Sequence, residues 1–340
     1  YMIGSTFNLC LFLSAPRLLS WIGNYRFIVT ALFLEAIAIV GLAFAQSTAL
    51  VIPLFILHQG IVPMILFSLD IFLEGYAKDE SSTGGSRGIF LTLSNLALVI
   101  SPALVSLILT NGDFYKVYMF SSLFLIPLIG ISFAWKGWEK NTLQNTKIWA
   151  TFKELRAHKD VFTILKANFI LQLFYAFMVI YLPIYLYQHI GFTWAEIGVI
   201  LTVMFLPFLI FEFPIGRLAD KKLGEKEILS LGFVVAGIAT MLIALLDAPV
   251  FGIWALILFT TRIGASFIEI TSESYFFKHV NSDNANIISF FRMTRPLSFI
   301  IAPPLAGLLL GSITYGALFG LVGFMMLFGL RYSLAIKDTR

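Results

Sequence analysis

Phe213 to Leu229 reads FPIGRLADKKLGEKEIL and gathers one Arg, one Asp, three Lys and two Glu between two almost wholly apolar segments. The surrounding chain is 59% apolar, 16% aromatic and only 12% charged, a composition far from that of a soluble domain. A charged cluster of this kind is therefore a loop between membrane spans. Apolar runs of about 20 residues, the length that crosses a bilayer as helix, recur on both sides of it.

The pattern predicts spans near 1–14, 25–45, 49–76, 88–110, 115–134, 167–188, 194–216, 227–245, 250–277, 284–310 and 315–334. A transmembrane barrel needs short alternating segments. FIVTALFLEAIAIVGLAFA, Phe27 to Ala45, is continuously apolar instead. The fold class expected is an all-α integral membrane protein.

Lys and Arg place the loops. Arg17, Arg26, Lys78, Arg87, the basic residues from Lys136 to Lys166, the cluster after Gly216, and Lys278, Arg331, Lys337 and Arg340 fall on one side of the alternation. Lys116 is the single exception. The basic side is expected to be cytoplasmic, with the C-terminus inside the cell and the chain in the cytoplasmic membrane. The net charge of +4 then reflects topology, and a nucleic-acid partner is not implied. Cys10 is the only cysteine, which excludes intrachain disulfides and cysteine-based metal sites.

The chain also repeats itself. A shift of about 200 residues lays SAPRLLSWIGNYRF (from Ser14) on PIGRLADKKLGEKEI (from Pro214), with Ile22 and Gly23 on Leu223 and Gly224. LDIFLEGY then falls on IEITSESY, matching Asp70 to Glu269, Glu74 to Glu273 and Tyr76 to Tyr275. Farther along, Pro102 falls on Pro303. Two repeats related along the membrane normal are a transporter architecture. The expected division is an N-terminal helical bundle over 1–135, a cytoplasmic linker over 136–166 and a C-terminal bundle over 167–340. Within the linker, Trp149, Phe152, Leu155 and Val161 fall near one helical face and Lys153, Arg156 and Lys159 near another, which suits an interfacial helix.

GRLADKKLGEKEIL resembles the cytoplasmic loop signature of the major facilitator superfamily, through Gly216, Leu218, Ala219, Asp220, Lys221, Gly224 and Leu229. Leu223 is one residue more than the signature has. The first-half copy keeps Gly23 and has Leu19 at the acidic position. The resemblance implies two six-helix bundles, with Tyr1 opening inside the second helix, so the sequence is expected to be a fragment lacking the first. It further implies that Asp220 faces the start of the fifth helix, near GGSRGIF and Arg87, as a latch between halves. Its rival is a set of solvated loop charges.

Ionisable residues inside spans are costly, and each needs a partner or a purpose. Asp70, Arg262, Glu269, Arg292 and Arg295 are the candidates for substrate or proton work, with a purely structural ion-pair cluster as the alternative. Glu269 is expected to pair with Arg292 or Arg295. Glu74 and Glu273, with Arg87, Arg217 and the loop signature, read as gate residues. His58 divides between packing and function, Glu35 reads as a buried acid bonded to a neighbouring helix, and Asn95, Gln172 and Tyr175 suit a mixed polar and apolar ligand.

No cluster of the kind an intramembrane enzyme needs is present, no catalytic residue, metal site or cofactor is expected, and no phosphate-binding loop points to a nucleotide. The function expected is secondary active transport of a small molecule by alternating access, as symporter or antiporter, with proton or sodium as coupling ion. The expected protein is a monomer in the lipid bilayer. A non-transporting sensor or receptor of the same fold is the alternative.

Overall fold

The computed structural model describes residues 2–76, 83–108, 114–134, 148–280 and 285–337, with the side chains of 75–76, 83–84, 102–103, 105–107, 114, 134, 148–149 and 154 excepted. The expected loops at 77–82, 109–113 and 281–284, the linker portion 135–147, and residues 1 and 338–340 lie outside the described residues.

Among the described residues twelve α-helices follow one another: α1 (Met2–Ile22), α2 (Asn24–Phe44), α3 (Thr48–Tyr76), α4 (Thr83–Ile108), α5 (Phe114–Ala134), α6 (Ile148–Ala157), α7 (Lys159–Tyr185), α8 (Trp194–Leu218), α9 (Glu225–Ile243), α10 (Phe251–Lys278), α11 (Ala285–Leu310) and α12 (Tyr315–Ala335). Among the described residues, 10 are long and apolar enough to cross a membrane. The eleventh expected span is α4, whose apolar part runs Gly85–Ser101. The chain is an all-α membrane protein, as its hydropathy predicts.

Two boundaries differ from expectation. α1 continues past Ser14 to Ile22, because Pro16 and Leu19 pack inward. The linker segment is two helices, broken at His158, so α7 starts at Lys159. α6 buries Thr151 and Leu155 and exposes Arg156.

The described chain separates into two compact units, and each crosses the sequence repeat. Unit 1 comprises 1–76, 104–154 and 280–300; unit 2 comprises 77–103, 155–279 and 301–340. In unit 1, α2 packs on α3 and α5, and α1 packs on α3. There the Phe12 and Phe67 rings meet edge-on, 5.8 Å apart. Asn24 and Ser68 bond reciprocally, side-chain amide to carbonyl and hydroxyl to side-chain oxygen, tying α2 to α3.

In unit 2, α9 lies between α10 and α12. Small residues set both crossings: a Cβ on Gly264 would overlap the Ala236 nitrogen, and one on Gly323 would come 2.7 Å from the Gly237 carbonyl oxygen. Close backbone contact of this kind supplies helix association where lipid removes the hydrophobic driving force.

The extra residue of the charged loop has a physical counterpart. After α8 the chain makes a π-helical turn, Ala219–Leu223, closed by a bond from the Gly224 N–H to the Ala219 carbonyl five residues back. In the first half the Gly23 N–H reaches Leu19, four residues back. The wider turn accommodates Leu223 without changing the exit. Both glycines stand at φ 78, where a side chain would strain the backbone.

Gly264→Val should lower thermal stability by about 1–3 kcal/mol through overpacking, measured as a downward shift in the unfolding midpoint of purified protein in detergent. An unchanged midpoint would mean that the α9–α10 crossing can relax.

Candidate functional site

The first cluster lies in unit 2, where α4 meets α8 and α10. The Gly85 N–H, in the first turn of α4, donates to Asp220 Oδ2 at 2.8 Å. Such a contact uses an amide that the helix leaves unbonded, and an acid there is favoured by the helix dipole. Lys278 Nζ, at the end of α10, sits 3.0 Å from Asp220 Oδ1 and also pairs with Glu225, which in turn accepts from the Ser274 hydroxyl. Asp220 is thus pinned by α10 with one oxygen and offered to α4 with the other. Around it Gly216 and Ala219 are buried, Leu218 is half-buried, and Arg217 and Lys221 are exposed.

Two residues along α4, buried Arg87 lays its guanidinium over the Phe277 ring, 3.2 Å from the centroid, with Glu273 at 3.8 Å. Next, Gly88 meets the backbone of α8: an added Cβ would come 2.9 Å from both the Glu212 carbonyl oxygen and the Phe213 Cα. Two turns farther, the Asn95 amide donates to both carboxylate oxygens of Glu212, at 2.9 and 3.1 Å. Glu212 is fully buried.

An equivalent seam exists in unit 1. The Ser289 hydroxyl of α11 donates to the Phe12 carbonyl of α1 at 2.6 Å. Ser289 stands 201 positions after Gly88, and Phe12 stands 200 before Glu212, so the same two registers meet twice. One turn on, Arg292 forks onto Asp70 of α3, Nε to Oδ2 at 2.6 Å and Nη2 to Oδ1 at 2.9 Å. Asp70 is fully buried.

A third group lies on α7, α8 and α10. Tyr175 donates its hydroxyl to Glu269 Oε2 at 2.6 Å. Arg262 is buried over the rings of Phe174, Tyr175 and Phe205, 5.1, 5.2 and 5.7 Å from their centroids. Gln172, one turn before Tyr175, has its side-chain oxygen buried without a hydrogen bond. Arg295 is exposed on α11. Glu74 is half-buried near the end of α3.

Residues 164–338 match the profile of the Major Facilitator Superfamily. The chain belongs to that superfamily. Its fold agrees over nearly its whole length with solved members. The crystal structure of the human organic anion transporter MFSD10 (TETRAN) superposes with a TM-score of 0.79 at 14% identity, covering 98% of this chain and 83% of that one. The Escherichia coli fucose:proton symporter FucP, in a variant with one substitution, gives a TM-score of 0.74 at 16% identity, covering 98% of this chain and 90% of that one. FucP in the outward conformation gives 0.75 at 16% identity, covering 98% of this chain and 89% of that one. No curated protein sequence matches. At these identities the likeness concerns the fold.

Superfamily membership makes the pairings more telling than the sequence alone. The expected partnership of Glu269 with Arg292 or Arg295 joins residues of different units. Within its own unit, Arg292 takes Asp70 and Glu269 takes Tyr175. Glu35 bonds across to α3, and the group it reaches is His58 Nδ1. Sequence reasoning passed over Glu212 altogether, although a lone acid in the span of α8 is itself a signal. It also passed over the burial of Glu225 and its bond with Lys278.

Breaking a buried pair from one side costs about 3–5 kcal/mol, whereas replacing both partners is far milder. Asp70→Leu or Arg292→Met alone should therefore lower the unfolding midpoint sharply, and the double variant should recover much of the loss. Additive losses in the double variant would show that the pair is not the energetic unit.

Proposed function

We propose that this member of the superfamily is a secondary active transporter that moves a small molecule across the cytoplasmic membrane by alternating access, with proton coupling through Glu269. The observation that carries the reading is the pair of equivalent seams. α4 of the first repeat meets α8 and α10 of the second, and α11 of the second meets α1 and α3 of the first. Their bonds exist only while helices of opposite repeats are in contact, so each seam is a closure that can be made and undone.

The residues of the seams lie toward the ends that carry the basic loops, which supports a cytoplasmic closure and a cytoplasmic C-terminus. Asp220 with Gly85, and Asn95 with Glu212, act as latches of this closure. Arg87, Glu74 and Glu273 border it. The two bundles 1–135 and 167–340 then rock about a site between repeats, the linker 136–166 keeping them tethered, in a protein that works as a monomer. FucP is a fucose:proton symporter, and a proton rather than sodium suits the carboxylate and phenol pair of Glu269 and Tyr175.

Glu269→Gln should abolish gradient-driven accumulation in proteoliposomes while leaving exchange of substrate across the membrane largely intact, because the variant cannot lose the coupling proton. Accumulation undiminished in the variant would remove Glu269 from coupling. Binding without any flux in the unmodified protein would instead support the sensor reading.

A further inference from the structure

Buried Arg87 and half-buried Lys278 and Arg292 each have a carboxylate within 4.0 Å. Arg262 has none among the described residues. Its exposure is 1%, and its Nε and Nη1 have no hydrogen-bond acceptor. The acid on its own helix face, Glu269, bonds to Tyr175 and acts on Arg262 through space, without an ion-pair contact within 4.0 Å.

Burying an arginine costs several kcal/mol, and paired carboxylates normally offset that cost. Three ring contacts beyond 5 Å are individually worth about 0.5–2 kcal/mol, and none of them supplies a hydrogen-bond acceptor to Nε or Nη1. The edges, where N–H groups point, are what a planar anion engages bidentately. Arg292 shows the occupied form of that fork, on Asp70.

The surroundings of Arg262 define what the anion carries with it. Phe205 packs on Phe208, and Phe208 meets Tyr175 edge-on at 6.1 Å, so one aromatic wall flanks the cation.

We propose that Arg262 is the anchor of an anion site and that the transported substrate is an organic carboxylate with an apolar or aromatic body. The inference rests on the transport reading for the word substrate, and on Arg262 alone for the charge. Cation and rings divide the ligand between them: the guanidinium edge takes the carboxylate, and the wall of Phe174, Tyr175 and Phe205 takes the apolar part.

Benzoate, benzamide and inorganic phosphate test it on the full chain in detergent. Benzoate well above its Kd should raise the unfolding midpoint by about 2–4 °C, and benzamide and phosphate should not. Arg262→Gln should weaken benzoate binding at least tenfold. Arg262→Lys retains charge and ring contact, so it guards against a folding defect, and it should also lose affinity because an ammonium cannot fork. Equal shifts with benzamide, a shift with phosphate but none with benzoate, or benzoate affinity unchanged in both variants would overturn the site. Benzoate that binds through Arg262 but does not move across proteoliposomes would keep the anion site and remove the transport reading. A neutral solute accumulated equally by the parent protein and Arg262→Lys would do the reverse.

Discussion

The approach of α4 to α8 at Gly88 is the constraint on which the remaining contacts depend. A backbone with no side chain at that point lets Glu212 and Phe213 come within van der Waals distance, and only then can Asp220 reach the Gly85 amide on one side and Asn95 reach Glu212 on the other. The seam is strongly polar at both ends and bare in the middle. Close backbone approach and polar bonds of this kind associate helices within a membrane.

The second seam solves the same problem with different chemistry. Where Gly88 provides closeness, Ser289 provides a hydrogen bond to the Phe12 carbonyl. Where Asn95 and Glu212 form a hydrogen-bonded amide and carboxylate, Arg292 and Asp70 form a forked ion pair. The two seams share one register and differ in the chemistry placed on it. The same correspondence is visible in the positive φ of Gly23 and Gly224, reached through an α-turn in one copy and a π-turn in the other.

Much of this architecture is legible in the amino-acid sequence itself. Hydropathy and basic loops predict the spans, because a bilayer admits few other solutions for so apolar a chain. The loop signature with its second glycine marks the turn at Gly224, and the three repeat registers mark which segments correspond. Partnership is not legible in the same way. Counting depth along helices places Glu269 and Arg292 at one level without saying which helices touch; that Arg292 forks onto Asp70 within unit 1 is something depth alone does not show. Glu212 escapes notice because it has no acidic or basic companion three or four residues away on its helix. Its partner, Asn95, stands 117 positions earlier on a different repeat. His58 and Glu35, 23 residues apart, likewise meet only through the packing of α2 on α3.

The central claim is that the α4–α8 seam opens and closes. It is tested most directly by spin labels on exposed positions of the two helices, Ser94 and Ile210, in a Cys10→Ser background, with distances measured by double electron–electron resonance in lipid nanodiscs. The account predicts two distance populations whose ratio responds to substrate and shifts toward the longer one in Asp220→Asn, by about fivefold for a loss near 1 kcal/mol. A single population, unchanged by substrate and by Asp220→Asn, would contradict it.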